Sequence, residues 1–246
     1  MAETTYDAAS AAAYRAAREI PHEALEAWRQ AVAEEAAPGP GTTLLDVGAG
    51  TGGFATAFHA WFGVRVLAVE PAPAMRALIP AFAGVVPLDG RADALPVPDA
   101  SVDAAWLGSV VHHLPDLEAA ARELRRALRP GAPVLIRNTF AGRGRRDLRV
   151  RFFPETAAMV DGYPSVDRVT EAFAAAGFRR TALRELPQQS APSLGAYADS
   201  LRREADSKLR ALSDAAWAHG LSAIRTAATE HPSEPAVSWM DLLVLR

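Results

Sequence analysis

Between Thr42 and Asn138 the chain alternates short apolar runs with helical patterns, and this alternation restricts its fold more than any other feature. The runs are "TLLDVG", "VRVLAVE", "VVPLDG", "SVDAAWLGS" and "PVLIRNTF"; helical stretches near 53–62, near 72–83 and at "DLEAAARELRRAL" fall between them. Strands that are apolar throughout are buried on both faces, and parallel strands need long crossovers that helices supply. The expected class is therefore α/β, with a doubly wound, mostly parallel sheet. Further on come a helix ending at Gly177, a strand "FRRTALREL", a helical insert at about 194–229 and a last apolar run "SWMDLLVLR", seven strands in all.

The 246 residues are 50% hydrophobic, enough for a substantial core. No repeat or low-complexity linker divides them, so the expectation is one domain over 1–246. A helical segment over 1–40 and an insert over 187–235 would cap it. In the first of these Tyr14, Ile20, Leu25, Trp28 and Val32 are spaced for helices, with a break at Pro21 and an end at "PGPG". A net charge of −3 speaks against a chain that coats nucleic acid or an anionic membrane. The absence of cysteine removes disulfides, thiolate nucleophiles and Cys-ligated zinc. No run reaches the roughly 18 apolar residues of a membrane span, and "MAETTYDAAS" has no basic and apolar leader, so the expected location is the cytoplasm.

The first apolar run ends in an acid and then in glycines, "LLDVGAGTGG". Ligands of doubly wound sheets bind at strand carboxyl ends, and Gly48, Gly50 and Gly52 would let a backbone turn there and approach a ligand closely. Gly48, Gly50 and Gly53 also satisfy G-x-G-x-x-G, so a dinucleotide is the first rival. Asp46 opposes it, because a carboxylate two residues before Gly48 repels a pyrophosphate and suits a cation. Glu70 ends the second run, 70 − 52 = 18 residues after Gly52, where a carboxylate accepts hydrogen bonds from ribose hydroxyls. An adenosine joined to a sulfonium and an amino acid would satisfy Asp46, Glu70 and the glycines together, and S-adenosylmethionine is that molecule.

On these residues the sequence resembles the class I S-adenosylmethionine-dependent methyltransferases that act on small molecules. "LLDVGAGTG" is similar to the family's first motif and "LAVEPAPAM" to its second-strand acid. "GRADALPVPDASVDAAWLGSVVHHL" resembles its third and fourth strand ends, and "ELRRALRPGAPVLI" its following helix, turn and strand. The resemblance implies a seven-stranded sheet with an antiparallel last strand and a helical cap. It implies cofactor contacts at Asp46, Gly48, Ala49, Gly50, Gly52, Glu70, Pro71, Met75, Ala92, Asp93, Gly108 and Ser109. "AYRAAREIP" resembles the entrance helix of many relatives and brings in Tyr14 as a residue of the reaction site. Relatives often have an acid at the position of Arg91 for the adenine amino group; here Asp93 or backbone would serve.

Each residue also has a plainer reading. The glycines could make an ordinary turn, Asp46 could be a turn carboxylate, Glu70 a solvated strand-end acid and Met75 a core residue. His112 and His113 follow the fourth strand, and as neighbours they do not share a face, so at most one would reach an acceptor. The pair could equally be one structural and one solvated histidine. The preference is for His113 as base, because relatives often carry a histidine at the position of His112 whatever their acceptor. No spacing defines a metal site. "AGRGRRDLRVR" carries Arg143, Arg145, Arg146, Arg149 and Arg151, read as a solvated, flexible loop or as a clamp for an acidic partner. The expected activity is methyl transfer from S-adenosylmethionine to a small, partly hydrophobic or aromatic metabolite, with no nucleic acid or membrane partner. Alternatives are a cofactor-binding cyclase or regulator, a tRNA or protein methyltransferase, and, last, a nicotinamide oxidoreductase.

Overall fold

The computed structural model describes residues 7, 8, 11, 12, 15 and 22–246. A 3₁₀ turn, His22–Leu25, leads into α1, Glu26–Ala36, which buries Trp28, Ala31 and Val32. The sheet strands are β1 Thr43–Val47, β2 Arg65–Val69, β3 Val85–Leu88, β4 Ala104–Gly108, β5 Val134–Asn138, β6 Arg180–Ala191 and β7 Ala236–Leu245. Their order is β3-β2-β1-β4-β5-β7-β6. The first five are parallel, and β7 runs antiparallel to both β5 and β6. The doubly wound, seven-stranded reading holds, with β7 as the reversed strand.

The crossovers carry α2 Gly53–Phe62, α3 Pro73–Arg76, α4 Leu117–Ala127, α5 Leu148–Phe152, α6 Ala157–Asp161 and α7 Val166–Ala174. α4 shows why such segments are helical. Asp116 caps it by accepting the Ala119 N–H at 2.8 Å, and Leu117, Ala120, Ala121, Leu124 and Ala127 line its buried side. Because side chains alternate along a strand, β1 splits the core. Leu45 and Val47 join Leu107, Ile136, Phe140 and Phe173 on one face; Leu44 joins Trp28, Phe58, Trp106 and Leu135 on the other.

Two elements differ from the sequence reading. The helix expected near 72–83 is one turn, α3, because Pro80 interrupts it and the Phe82–Val85 bridge turns the chain into β3. β6 extends through Pro187, Gln188 and Gln189 to Ala191, so the first residues assigned to the 187–235 insert are strand. β7 holds them there, with partners from Trp239 to Ala236 across one register shift, between Gln189 and Ala191. The helices of the insert are α8 Leu194–Ser200, α9 Ser207–Arg210 and α10 Asp214–Glu230. They pack around a third core of Leu148, Phe152, Phe153, Tyr197, Leu209 and Ile224. No helix among the described residues is long and apolar enough to cross a membrane.

Candidate active site

The sheet brings Asp46 and Glu70 together at the ends of β1 and β2. Asp46 is 2% exposed and lies in register with Ala68 on β2 and Trp106 on β4. Its Oδ2 is buried without a hydrogen-bond partner. Burial, and secondarily the charge of Glu70, push its carboxyl up to about 8, so at neutral pH the isolated site favours the protonated acid. Glu70 also lies above the usual carboxylate range: burial raises it, while the N–H groups of Ala72 and Gly50 and the charge of Arg76 oppose the rise. Its Oε2 accepts the Gly50 N–H and its Oε1 the Ala72 N–H, both at 2.9 Å. A carboxylate has about four lone-pair sites, so capacity for two further donors remains.

The glycine loop is anchored by the Gly48 and Ala49 N–H groups, which share the Val69 carbonyl at 2.8 and 3.0 Å. Gly48, Gly50 and Gly52 all have positive φ, at 70°, 58° and 83°. Two of them are required by the fold itself. A Cβ on Gly48 would stand 2.4 Å from Val110 Cγ2, and one on Gly52 would stand 2.9 Å from Ile79 Cγ2. Packing against Val110 and Ile79 therefore by itself calls for glycine at these two positions.

Beside this centre Pro71 is exposed, Met75 is 3% exposed within α3, and Ala92 is buried. Asp93 forms an ion pair with Arg91 at 3.0 Å, which lowers its carboxyl below the usual range. Gly108 ends β4, and Ser109 follows with φ 59°, its N–H bonded to the Arg137 carbonyl at 2.7 Å. His112 and His113 lie in the 3₁₀ turn Val111–His113. His112 Nδ1 is 2.9 Å from Asn138 Oδ1, and the His112 ring stacks on Tyr163 with centroids 4.1 Å apart. His113 is exposed next to it. Tyr14 lies outside the described residues.

Residues 45–136 match the family model described as a methyltransferase domain. Over these residues the chain is similar to a methyltransferase domain. An uncharacterized methyltransferase of Mycobacterium bovis is 41% identical over 111 residues, 44% of this chain and 43% of that protein. The match thus spans less than half the length of these relatives. The geranyl diphosphate C-methyltransferase of Streptomyces coelicolor, solved with S-adenosylhomocysteine, superposes with a TM-score of 0.57 at 17% identity, covering 89% of this chain and 76% of its own. A cyclase, SpnF, superposes at 0.61 and 20% identity, covering 94% and 83%. These two likenesses show the fold.

The sheet edge also gathers residues that the sequence reading left out. Arg137, 5% exposed on β5, donates to Ser109 Oγ at 2.9 Å and to Gln188, and its guanidinium lies 5.1 and 5.3 Å from the Trp28 and Phe54 rings. Arg137 and Asn138 carried a legible signal, two polar residues closing an apolar strand. Tyr163 and Gln188 carried none, since only tertiary folding brings them to the strand ends.

The arginine-rich segment is not an open loop but a 3₁₀ turn, Gly144–Arg146, followed by α5. Arg143 meets Asp241 with both nitrogens, at 2.8 and 2.7 Å. Arg146 meets Glu185 at 2.5 Å and covers the Trp239 ring, and Arg151 meets Glu234 at 2.8 Å. Arg149 is mostly buried, its side chain 18% exposed; burial opposes its charge, but Asp206, 2.5 Å away, and other neighbours raise its pKa above the usual value. Arg143, Arg145, Arg146 and Arg151 are exposed, as a solvated run would be, but acids distant in sequence tie all of these except Arg145 to the fold around α5.

Proposed function

We propose that this chain transfers a methyl group from S-adenosylmethionine to a small, partly hydrophobic or aromatic acceptor. One observation carries the reading: Glu70, bonded to the glycine loop and still able to accept two hydrogen bonds, stands beside Asp46, a buried carboxyl with an unpartnered oxygen. The indole N–H groups of Trp28 and Trp106, on the same side of the sheet, are likewise buried without partners. Polar atoms left so are expensive unless a ligand completes them, so the residues fit the cofactor. Glu70 would hold the ribose hydroxyls, the Gly48–Gly52 backbone would run along the amino-acid part, and Asp46 would face its cationic end. Met75 and Ala92 would border the adenine. Because Asp93 is engaged by Arg91, backbone groups there would meet the adenine amino group.

When bound, the cofactor supplies a methyl carbon already activated by its sulfonium. The chain's own task is then to orient the acceptor and exclude water. We assign the first role to the strand-end turn around Ser109–His113 and the second to the 1–40 segment and the helices α8–α10. Where the acceptor must lose a proton, His112 is the better-placed base, because Asn138 and Tyr163 fix its ring whereas His113 is exposed. This reverses the preference drawn from sequence. The arginine segment, engaged in ion pairs, gives no support to a tRNA or protein acceptor. A cyclase of the same fold keeps a second reading in view, that the chain binds the cofactor without transferring its methyl. Calorimetry with S-adenosylhomocysteine tests binding, and release of S-adenosylhomocysteine during turnover of an aromatic metabolite separates the two readings. A folded protein that binds neither cofactor nor product would remove both.

A further inference from the structure

We infer that Arg76 is a positioning residue for Glu70, fixing the main chain that aims this carboxylate at the cofactor ribose. The inference rests on the cofactor site proposed above. Arg76 ends α3, and its Nη1 donates to the Glu70 carbonyl at 2.7 Å and to the Pro71 carbonyl at 3.2 Å. The same nitrogen pairs with Asp89 Oδ1 at 3.0 Å. Asp89 directly follows β3, whose last residue, Leu88, accepts the Glu70 N–H at 3.1 Å. Glu70 is therefore gripped at both backbone groups by the end of β3, at its N–H directly and at its carbonyl through the guanidinium. With the main chain fixed, the side chain can bridge the Gly50 and Ala72 N–H groups and present its remaining lone pairs in one direction.

The charges around Glu70 give this role a signature that a merely structural residue lacks. Asp46 faces it from β1 and Arg76 from α3, with Asp89 beyond Arg76; the glycine loop contributes the Gly50 N–H. Of these charged groups only Arg76 favours the ionised carboxylate, against the burial that raises its pKa. Without Arg76, Glu70 would both lose its aim and take up a proton at higher pH, and a protonated acid presents a weaker acceptor to the ribose.

The test is calorimetric titration of full-length wild type, R76Q, R76K and D89N with S-adenosylhomocysteine from pH 5.5 to 8.5, after circular dichroism confirms folding. R76Q is expected to bind about tenfold more weakly at pH 7.5, the scale of one charge-assisted hydrogen bond. Its loss of affinity on acidification should set in at higher pH than in wild type. R76K should restore the wild-type pH dependence. D89N, altering a carboxylate 74% exposed and so tolerant of change, should weaken binding by about twofold to threefold by releasing the outer anchor of Arg76. If R76Q does not fold, R76K and D89N decide, and wild-type affinity in both overturns the inference. Wild-type affinity in R76Q, or an equal loss at every pH that lysine does not rescue, also overturns it. Absence of binding by the wild type removes the cofactor reading and this inference with it.

Discussion

The Nδ1 of His112 lies 2.9 Å from the Oδ1 of Asn138, joining the turn after β4 to the end of β5. Asn138 is fully buried, and its amide nitrogen donates to the Thr139 carbonyl at 2.6 Å, which leaves the amide oxygen to face the histidine. In neutral His112 the proton then sits on Nδ1 and the lone pair on Nε2. The stacked Tyr163 ring fixes the plane, so the tautomer and direction are set within the folded chain.

For an acceptor that must be deprotonated, His112→Ala is therefore expected to lower kcat by about 10²- to 10⁴-fold, the usual scale of general-base loss. Asn138→Leu should cost about tenfold by freeing the ring, the lower end of what loss of an orienting partner produces. His113→Ala should stay within about threefold of wild type, as expected of a group outside the proton path. Steady-state kinetics with S-adenosylhomocysteine affinity as control checks this; a dead His113→Ala beside an active His112→Ala would return the role to His113.

Glu70→Ala removes the proposed ribose acceptor and the bond to Gly50 together. It should weaken S-adenosylhomocysteine binding by about 1.5–3 kcal/mol, the range for hydrogen bonds to a charged group. Calorimetry on the folded variant decides, and unchanged affinity would show that Glu70 only braces the loop.

Asp46 makes stability depend on pH in a defined direction. Its folded pKa, about 8, lies above the ordinary value of 3.8, so the folded chain retains a proton that the unfolded chain has released. The contribution is full below 3.8 and is lost as pH rises through about 8. Asp46→Asn should therefore raise the thermal midpoint of the ligand-free protein at pH 8.5, by at least about 3 °C on the usual scale for a chain of this size. The gain should shrink at pH 5. Differential scanning fluorimetry at the two pH values measures it, and an equal shift at both would contradict the burial of an ionisable Asp46.

Lys208, the only lysine, is 8% exposed and donates to Asp147 Oδ2 at 2.8 Å. Asp147 is buried, which by itself would raise its pKa, yet Lys208 and Arg149 outweigh burial and hold it below the usual range. Lys208→Met would leave that carboxylate short of a partner, at a cost of about 3–5 kcal/mol in urea unfolding. A loss under about 1 kcal/mol would mean that Arg149 suffices, as at an exposed pair.

Gly48→Ala should destabilise the fold as well as binding, by about 1–3 kcal/mol, through a left-handed backbone and the clash with Val110. Pairing it with Val110→Ala should recover the part due to the clash in urea unfolding. Were the single variant as stable as wild type, the loop glycine would answer to a ligand alone.

The sequence by itself determined the layered sheet and the two acids, because both follow from local pattern. Continuous apolar runs such as "TLLDV" need cover on both faces, and a strand that ends at Asp46 or Glu70 places that residue at the carboxyl edge wherever the strand lies in the sheet. Tertiary structure decided what depends on distant partners. Gly48 is glycine partly because Val110 stands over it, α3 stops at one turn because the chain must reach β3, and four arginines of "AGRGRRDLRVR" are ion-paired because Asp241, Glu185, Asp206 and Glu234 reach them from distant parts of the chain. The different surroundings of His112 and His113 belong to the same class. Adjacent residues share composition, periodicity and charge, and only the arrival of Asn138 from β5 and Tyr163 from the turn before α7 distinguishes them.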